Sequence, residues 1–283
     1  MRINAQICAV VFVPLLLFLS TTVAIAQSDI HRVDFKNFTY FPMCVGSKPR
    51  RVTVTKGEYS KATQMSGYVD NFYFVVSDVT FGDLNAGGGD EAVILTNCNT
   101  GGTGNFSEGF VYTMRAGKPV LVTRIPGGDR AYGGLRSARI ANGILSVDSN
   151  DAGELGGACC PEYAVTTTYR LRTVKLLKFG TPVRRELYPK HRLTFALGAS
   201  AMTFREKLEA QDLKRYVVSA KAGQVLSVSA GTPGLSIRLL DDAKVTEGEN
   251  GFSAHLPKNG DYAFEIQNID TKPIEVTITV RIK

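Results

Sequence analysis

Oxygen-bearing side chains cluster in one glycine-rich stretch of the sequence, GDLNAGGGDEAVIL at residues 82–95. Calcium prefers carboxylate, amide and carbonyl oxygens, and calcium loops present them at alternate positions around a sharp glycine turn. The residues that match this spacing are Asp83, Asn85, the main-chain carbonyl of Gly89, and Asp90 or Glu91 as the closing carboxylate. The stretch predicts either a calcium site or a turn of the same shape.

Gly87 decides between these two interpretations, because it stands where a calcium loop carries its third oxygen side chain. Affinity for calcium falls as charged ligands are lost, so we expect this loop to bind calcium with a millimolar dissociation constant at best. Glycine also suits a tight turn that leads into a β-strand. A structural turn is therefore favoured, and a weak calcium site is the alternative.

Residues typical of enzyme active sites are not brought together by local spacing. The three histidines, His31, His191 and His255, are far apart, and no HExxH zinc helix or nucleophile motif includes them. The glycine-rich segments lack the Gly-Lys-Ser/Thr ending of a phosphate loop. We expect no enzymatic activity.

The N-terminus has the order of a secretory signal. Residues 1–26 contain Arg2, an apolar run from Ile7 to Leu19 and a small-residue site at Ala24-Ile25-Ala26. The apolar run contains Pro14 and is shorter than the ~20 residues that span a bilayer. We expect an exported protein, periplasmic or secreted, with no transmembrane segment once the signal is removed.

Four cysteines remain after removal of the signal: Cys44, Cys98, Cys159 and Cys160. An even number in an exported chain favours disulfides over metal thiolates. Adjacent residues of an extended segment point to opposite faces, so Cys159 and Cys160 are expected to take different partners. A vicinal bridge between them, or reduced buried thiols, is the alternative.

The formal net charge of +7 is unevenly distributed, since residues 180–192 hold four Lys or Arg residues and one Glu. A protein that binds nucleic acid would carry a denser basic face with interleaved aromatic residues. We expect no nucleic-acid partner and interpret 180–192 as a solvated basic linker.

The chain is otherwise a series of short segments that alternate with a period of two, which predicts β-strands. Turns are expected at Ala116-Gly117-Lys118 and at Asn142-Gly143, a pair that suits a type I′ hairpin. We predict an all-β protein with an antiparallel, disulfide-bonded domain at 27–179 and a β-sandwich at 193–283. Helix formers occur at Thr203–Leu208, but strand is favoured there because the flanking sequence is uniformly β.

Two resemblances concern the first domain. The stretch around Asp83 resembles the DxNGDGxxE loop of FG-GAP and related calcium-binding β-propeller repeats, although one copy occurs and a propeller needs several. Residues 30–178, with segments such as GFVYTMRAGKPVLVTRIP and GACCPEYAVTTTYR, resemble an uncharacterised domain of secreted bacterial proteins. That resemblance implies structural cysteines and no activity.

The second domain resembles two related families. DLKRYVVSAKAGQVLSVSAG, LPKNGDYAFEIQN and the terminal VTITVRI resemble the bacterial pre-peptidase C-terminal domain and the periplasmic inhibitors of invertebrate-type and goose-type lysozymes. The inhibitors present a Ser-Gly-x-Tyr loop to lysozyme, and the matching residues here are Asn259, Gly260, Asp261 and Tyr262. Asn replaces Ser, and the same residues also suit a turn in which Tyr packs inward with its hydroxyl bonded.

The function predicted from sequence is therefore a non-enzymatic binding protein of the cell envelope whose partner is a protein or a glycan. One alternative is a periplasmic lysozyme inhibitor that acts through Asn259–Tyr262. The other is an enzyme with a site between the domains, near Asp129, Arg130 and Glu162.

Overall fold

The computed structural model describes residues 29–43, 48–154 and 156–283. These residues form one short 3-10 helix, Ile30–Arg32, and otherwise strands and turns, which confirms the all-β prediction. No helix in these ranges has the length and apolar character needed to cross a membrane. The predicted signal, residues 1–26, lies outside the described residues.

The strands of the first half are β1 (Thr39–Tyr40), β2 (Val52–Thr53), β3 (Glu58–Gln64), β4 (Val69–Gly82), β5 (Glu91–Asn99), β6 (Phe106–Arg115), β7 (Lys118–Asp129), β8 (Tyr132–Ala141), β9 (Ile144–Asp151), β10 (Tyr163–Arg172), β11 (Lys175–Lys178) and β12 (Val183–Glu186). Strands β3 to β11 pair consecutively and antiparallel in one sheet, and β12 also pairs with β10. Strands β1 and β2 form a separate small pair.

Strand β5 lies at the centre of this domain and is buried on both faces. Ala92 and Ile94 face a core that includes residues of the segments 30–43 and 48–54. Val93 and Leu95 face a second core, to which β8, β9 and β10 contribute Leu135, Leu145, Val147 and Leu171. The sheet therefore folds back over itself. A strand between two packed layers needs apolar side chains on both faces, which accounts for the apolar run AVIL at residues 92–95.

Both hairpin turns predicted from glycine are confirmed. Asn142 and Gly143 connect β8 to β9 with φ values of 52° and 71°. Ala116 and Gly117 connect β6 to β7, also with positive φ. Two consecutive residues with positive φ match the right-handed twist of the flanking strands, which is why short hairpins favour this geometry.

The second half is a β-sandwich, as predicted. Its strands are β13 (Lys190–Arg192), β14 (Ala201–Leu208), β15 (Leu213–Ala220), β16 (Val225–Ala230), β17 (Leu235–Leu239), β18 (Lys244–Gly248), β19 (Gly251–His255), β20 (Gly260–Asn268) and β21 (Ile274–Ile282). One sheet has the order β13-β15-β20-β17 and the other β14-β21-β16-β19-β18, with the apolar core between them. The strand predicted at Thr203–Leu208 is confirmed as part of β14.

The segment predicted as a linker, 180–192, is more ordered than a solvated connector. Strand β12 extends the first sheet by pairing with β10, and β13 joins the second sheet by pairing parallel with β15. Prediction from composition missed both strands, because most of their side chains are exposed and charged. The exact domain boundaries stay a prediction.

Contact between the two halves includes a buried ion-pair network. The guanidinium of Arg215, on β15, donates to both carboxylate oxygens of Glu162, which immediately precedes β10, and to Glu265 at 3.1 Å. Arg238 donates to the other oxygen of Glu265. The side chains of Arg215 and Glu265 are 9% and 3% exposed, so this charge is satisfied by protein and not by water.

The cysteines do not pair as predicted. Cys159 and Cys160 form a disulfide with each other, so the expectation that they take different partners is wrong. The two residues lie in the connection between β9 and β10, where Cys160 N–H donates to the Gly157 carbonyl at 3.0 Å. The alternation of an extended strand does not apply to such a turn. Cys98 is disulfide-bonded as well; Cys44 lies outside the described residues.

Replacement of Arg215 tests the network between the halves. We expect Arg215→Met to lower the free energy of unfolding by about 3–5 kcal/mol, because it leaves buried carboxylates without a counter-charge. Denaturant unfolding measures the loss. The control is Arg238→Gln, because the Arg238 side chain is 67% exposed. We expect this variant to lower the free energy of unfolding by about 1 kcal/mol or less. Equal effects of both substitutions would contradict a special role for Arg215.

Candidate functional site

The glycine-rich loop predicted from sequence connects β4 to β5 and is held by its own carboxylates. Asp83 accepts hydrogen bonds from the backbone N–H groups of Asn85 at 3.2 Å and Gly88 at 3.0 Å. Ala86 and Gly88 have φ values of 58° and 78°, a conformation that glycine adopts without steric cost. Asp83 therefore stabilises the turn.

Glu91 anchors the loop to the domain core. Glu91 is 1% exposed, and its Oε2 accepts a hydrogen bond from the Leu84 N–H at 2.9 Å. Its Oε1 accepts from the Thr113 hydroxyl at 3.2 Å and from the Asn85 side-chain amide. Burial raises the pKa of the Glu91 carboxyl, partly offset by these hydrogen bonds. Both carboxylate oxygens are occupied by groups of the protein itself.

His31 forms a contact with this loop that the sequence did not predict. Its Nε2 lies 2.8 Å from Oδ2 of Asp90, and its ring stacks on Phe81 with the centroids 4.3 Å apart. The two partners of the hydrogen bond are separated by 59 residues in the chain. No local sequence signal indicates this pair, because the N-terminal segment reaches the loop through tertiary packing, with Ile30 and Phe35 in the core.

An open pocket of about 500 Å³ lies between the N-terminal segment and the loop. Its lining consists of Asp29, Ile30, His31, Asn85, Gly87, Gly88, Gly89, Asp90, Glu91, Thr113 and Met114. Most of the side chains are polar, and they include the carboxyl groups of Asp29, Asp90 and Glu91 and the His31 ring. The pocket is therefore rich in hydrogen-bond acceptors and suits a ligand that carries hydroxyl or amino groups.

Calcium would need several oxygens that converge on one point. Asp83 and Glu91 instead accept N–H donors of the loop, and Gly87 contributes no side-chain oxygen. Among the described residues, no group of three or more His, Cys, Asp and Glu side chains is arranged to hold a metal ion. These oxygens do not fit a preformed calcium cage, and a weak calcium site stays the untested alternative to the structural turn.

The second predicted site, Asn259–Tyr262, lies at the start of β20. Asn259 Oδ1 accepts from the Ala222 N–H at 2.8 Å. Tyr262 is 1% exposed, and its hydroxyl donates to the Lys258 carbonyl at 2.7 Å. The inward packing weighed from sequence is therefore confirmed for Tyr262. Asn259, Gly260 and Asp261 are exposed, and binding at this loop stays a prediction.

Asp261 is held by two neighbours. Arg192 donates to both of its carboxylate oxygens, and the Ser219 hydroxyl donates to Oδ1 at 2.6 Å. The Arg192 guanidinium, with a smaller contribution from Ser219, lowers the pKa of Asp261 to about 2. This pair ties β13 to the exposed start of β20, so the predicted linker and the predicted site meet in space.

The acidic and basic residues suggested for an inter-domain enzyme do not form one catalytic cluster. Asp129 accepts from its neighbour Arg130 at 3.0 Å and from the Asn105 N–H at 2.7 Å. Glu162 is bound instead by Arg215 of the second half. Each of these carboxylates is engaged in a hydrogen-bonded ion pair.

No protein-family model and no curated protein matches the sequence. Solved structures that match include the g-type lysozyme inhibitor PliG of Aeromonas hydrophila, with 18% identity, a TM-score of 0.30, and coverage of 33% of this chain and 96% of that chain. PliG of Salmonella Typhimurium matches with 17% identity, a TM-score of 0.29, and coverage of 33% and 97%. The pre-peptidase C-terminal domain of a Bacillus anthracis collagenase matches with 14% identity, a TM-score of 0.26, and coverage of 35% and 99%. The resemblance predicted from sequence is found again in these matches.

The loop geometry makes a prediction for calcium. We expect the same melting temperature in several millimolar calcium and in chelator, because Asp83 and Glu91 already accept hydrogen bonds from the loop. A calcium site would instead stabilise the fold by about 1 kcal/mol at a few times its dissociation constant. A calcium-dependent rise that is lost in Asp83→Asn would contradict the structural turn and establish the metal site.

The contacts of Asp261 make a prediction for pH. NMR titration of its carboxyl carbon should give a pKa of about 2, and Arg192→Gln should return it towards 3.8. Because the folded-state pKa is lowered, the stabilisation is present above the ordinary carboxyl pKa and is lost as pH falls towards 2. The control is Lys221→Gln, an exposed cation that forms no ion pair with Asp261. An unshifted pKa in the parent protein would contradict the Arg192 contact.

Proposed function

We propose that this chain is an exported, non-enzymatic binding protein that takes a glycan in the pocket formed by Asp29–His31 and the loop before β5. The observation that carries this proposal is the polar pocket itself, whose acceptor side chains are held in place by hydrogen bonds before any ligand arrives. A volume of about 500 Å³ lies within the usual range of ligand pockets.

The chemistry of the lining supports a hydroxyl-rich ligand over an apolar one. Asp29, Asp90 and Asn85 offer oxygens that accept from sugar hydroxyls, and the oxygen of the Thr113 hydroxyl, which donates its proton to Glu91, can accept as well. The excess of carboxylates disfavours an anionic ligand, because like charges in a partly desolvated pocket repel. A neutral or amino-bearing glycan is therefore the ligand class that we propose.

The state of the carboxyl groups supports a binding role over catalysis. A general acid or base needs an oxygen within hydrogen-bond reach of the reacting group. Both oxygens of Glu91 accept hydrogen bonds from the protein, and Glu162 is paired with Arg215. Glu91 is thus engaged in holding the loop, and Glu162 in holding the two halves together.

The lysozyme-inhibitor alternative concerns a different surface. Its central aromatic residue, Tyr262, points into the sandwich core, which leaves Asn259, Gly260 and Asp261 as the exposed part of the loop. Unchanged lysis rates of goose-type, invertebrate-type and chicken-type lysozymes at micromolar protein would exclude this alternative.

Calorimetric titration with three tetrasaccharides of different charge tests the glycan proposal. We expect neutral chitin tetramer and cationic chitosan tetramer to bind, and anionic alginate tetramer not to bind, because carboxylates line the pocket. His31→Ala should weaken binding by about tenfold. It removes the hydrogen bond between His31 and the Asp90 carboxylate, and a hydrogen bond to a charged group is worth about 1.5 kcal/mol. The control is Asp261→Asn in the second domain, which should bind as the parent does.

Two results would contradict the proposal. One is the absence of binding by any of the three sugars at millimolar concentration, and the other is equal binding by parent and His31→Ala. Mass spectrometry of the sugars after prolonged incubation tests the non-enzymatic role. We expect unchanged chain lengths, and shortened products that disappear in Glu91→Gln would establish a hydrolase.

A further inference from the structure

The net positive charge of the protein is concentrated in one segment of the fold. Residues 163–192 contain eight Lys and Arg residues and one Glu, a net of +7, which equals the formal net charge of the entire chain. The remaining sequence is therefore balanced overall. This segment forms β10, β11, β12 and β13, and β11 and β12 both pair along one side of β10.

Five of these cations have no acidic partner in the part of the chain that the structure describes. Arg184, Arg185 and Arg192 pair with aspartates. Within residues 29–43, 48–154 and 156–283, no ion pair is formed by the others, which are Arg170, Arg172, Lys175, Lys178 and Lys190. Uncompensated cations that lie close together raise the local positive potential and attract anions.

The register of the β10–β11 hairpin places several of these cations on one outward face. Arg172 pairs with Lys175 and Arg170 pairs with Leu177, so these four side chains share a face. The opposite face of β10 carries Leu171, which belongs to the second apolar core. The cationic face therefore points away from the core.

Exposed apolar side chains accompany the cations. Val174, in the hairpin turn, is 45% exposed, and Leu177 and Val183 are 52% and 64% exposed. Phe179 is 42% exposed, and the Arg170 guanidinium lies 3.9 Å from its ring centroid. We call this surface the basic edge. It consists of strands β11 and β12, the outward-facing Arg170 and Arg172 of β10, and Val174 and Phe179.

We propose that the basic edge docks this protein on an anionic membrane surface. The cations would contact phosphate headgroups, and Val174, Leu177 and Val183 would enter the interface between headgroups and acyl chains. Clustered cations next to exposed apolar side chains are the combination by which peripheral proteins bind anionic lipid. A soluble polyanion would use only the cations and would leave the apolar side chains in water.

The proposed glycan pocket does not share residues with this surface. The pocket is lined by the N-terminal segment, the β4–β5 loop, the start of β5 and the end of β6, whereas the basic edge belongs to β10, β11 and β12. The membrane proposal therefore goes beyond the glycan proposal, and each can fail without the other.

Co-sedimentation with sucrose-loaded vesicles tests the membrane proposal. We expect the full chain to bind vesicles of phosphatidylcholine with phosphatidylglycerol and not vesicles of phosphatidylcholine alone. Because each cation near an anionic surface strengthens binding about fivefold, Arg170→Gln/Arg172→Gln/Lys175→Gln should weaken it on the order of 100-fold. The matched control removes three exposed cations of the sandwich, Lys221→Gln/Lys244→Gln/Lys272→Gln, and should bind nearly as the parent does.

A second variant separates a membrane from a soluble polyanion. Val174→Ser/Leu177→Ser keeps every charge and should weaken vesicle binding about tenfold or more, because it removes the apolar area that enters the interface. Circular dichroism checks that each variant is folded. Equal loss in the edge triple and the control triple would overturn the proposal. Full binding by Val174→Ser/Leu177→Ser, together with complete competition by soluble polyphosphate, would assign the edge to a soluble polyanion and would also overturn it.

Discussion

The pocket depends on one buried carboxylate. Glu91 begins β5, the strand that is packed on both faces, and it bonds the backbone of Leu84 and the side chains of Asn85 and Thr113. Burial outweighs these hydrogen bonds and raises the pKa of Glu91, so its contribution to stability declines as pH rises through the folded-state value. Burial of Glu91, which holds the loop in place, therefore costs the domain some of its free energy of unfolding.

A comparable arrangement fixes the two halves to each other. Arg215 reaches from the sandwich to Glu162 and shares Glu265 with Arg238. The network pairs two guanidinium groups with two carboxylates, so no net charge is left at the contact. Buried ion pairs add little stability compared with apolar packing, but they define geometry because a misplaced partner leaves a charge uncompensated. This contact favours one relative placement of the two domains.

The strands and hairpin turns could be predicted because their signals are local. Alternation identifies a strand from neighbouring residues alone, and Asn142-Gly143 carries its turn preference within two positions. The strand at Thr203–Leu208 was predicted against its helix propensity, and pairing with β21 is what stabilises it. Propensity is a weak influence when a strand can bury one face against a core.

The remaining features could not be predicted because they join distant parts of the chain. His31 meets Asp90 across 59 residues, and Glu162 meets Arg215 across 53. An extended backbone would give Cys159 and Cys160 different partners, whereas the two residues lie in a turn and bond to each other. The segment 180–192 resembles a linker in composition, yet its exposed charged strands complete the edges of two sheets. Edge strands require little apolar burial, so their sequences resemble loops.

The claim on which the functional proposal depends is that the loop is rigid before any ligand binds. Amide hydrogen exchange at Leu84, read by NMR in the free protein, tests this claim most directly, because its N–H donates to the buried Glu91 carboxylate. We predict protection comparable to that of the central residues of β5, with opening only when the domain unfolds. Exchange of the Leu84 amide as rapid as that of an exposed loop amide would contradict a preformed pocket.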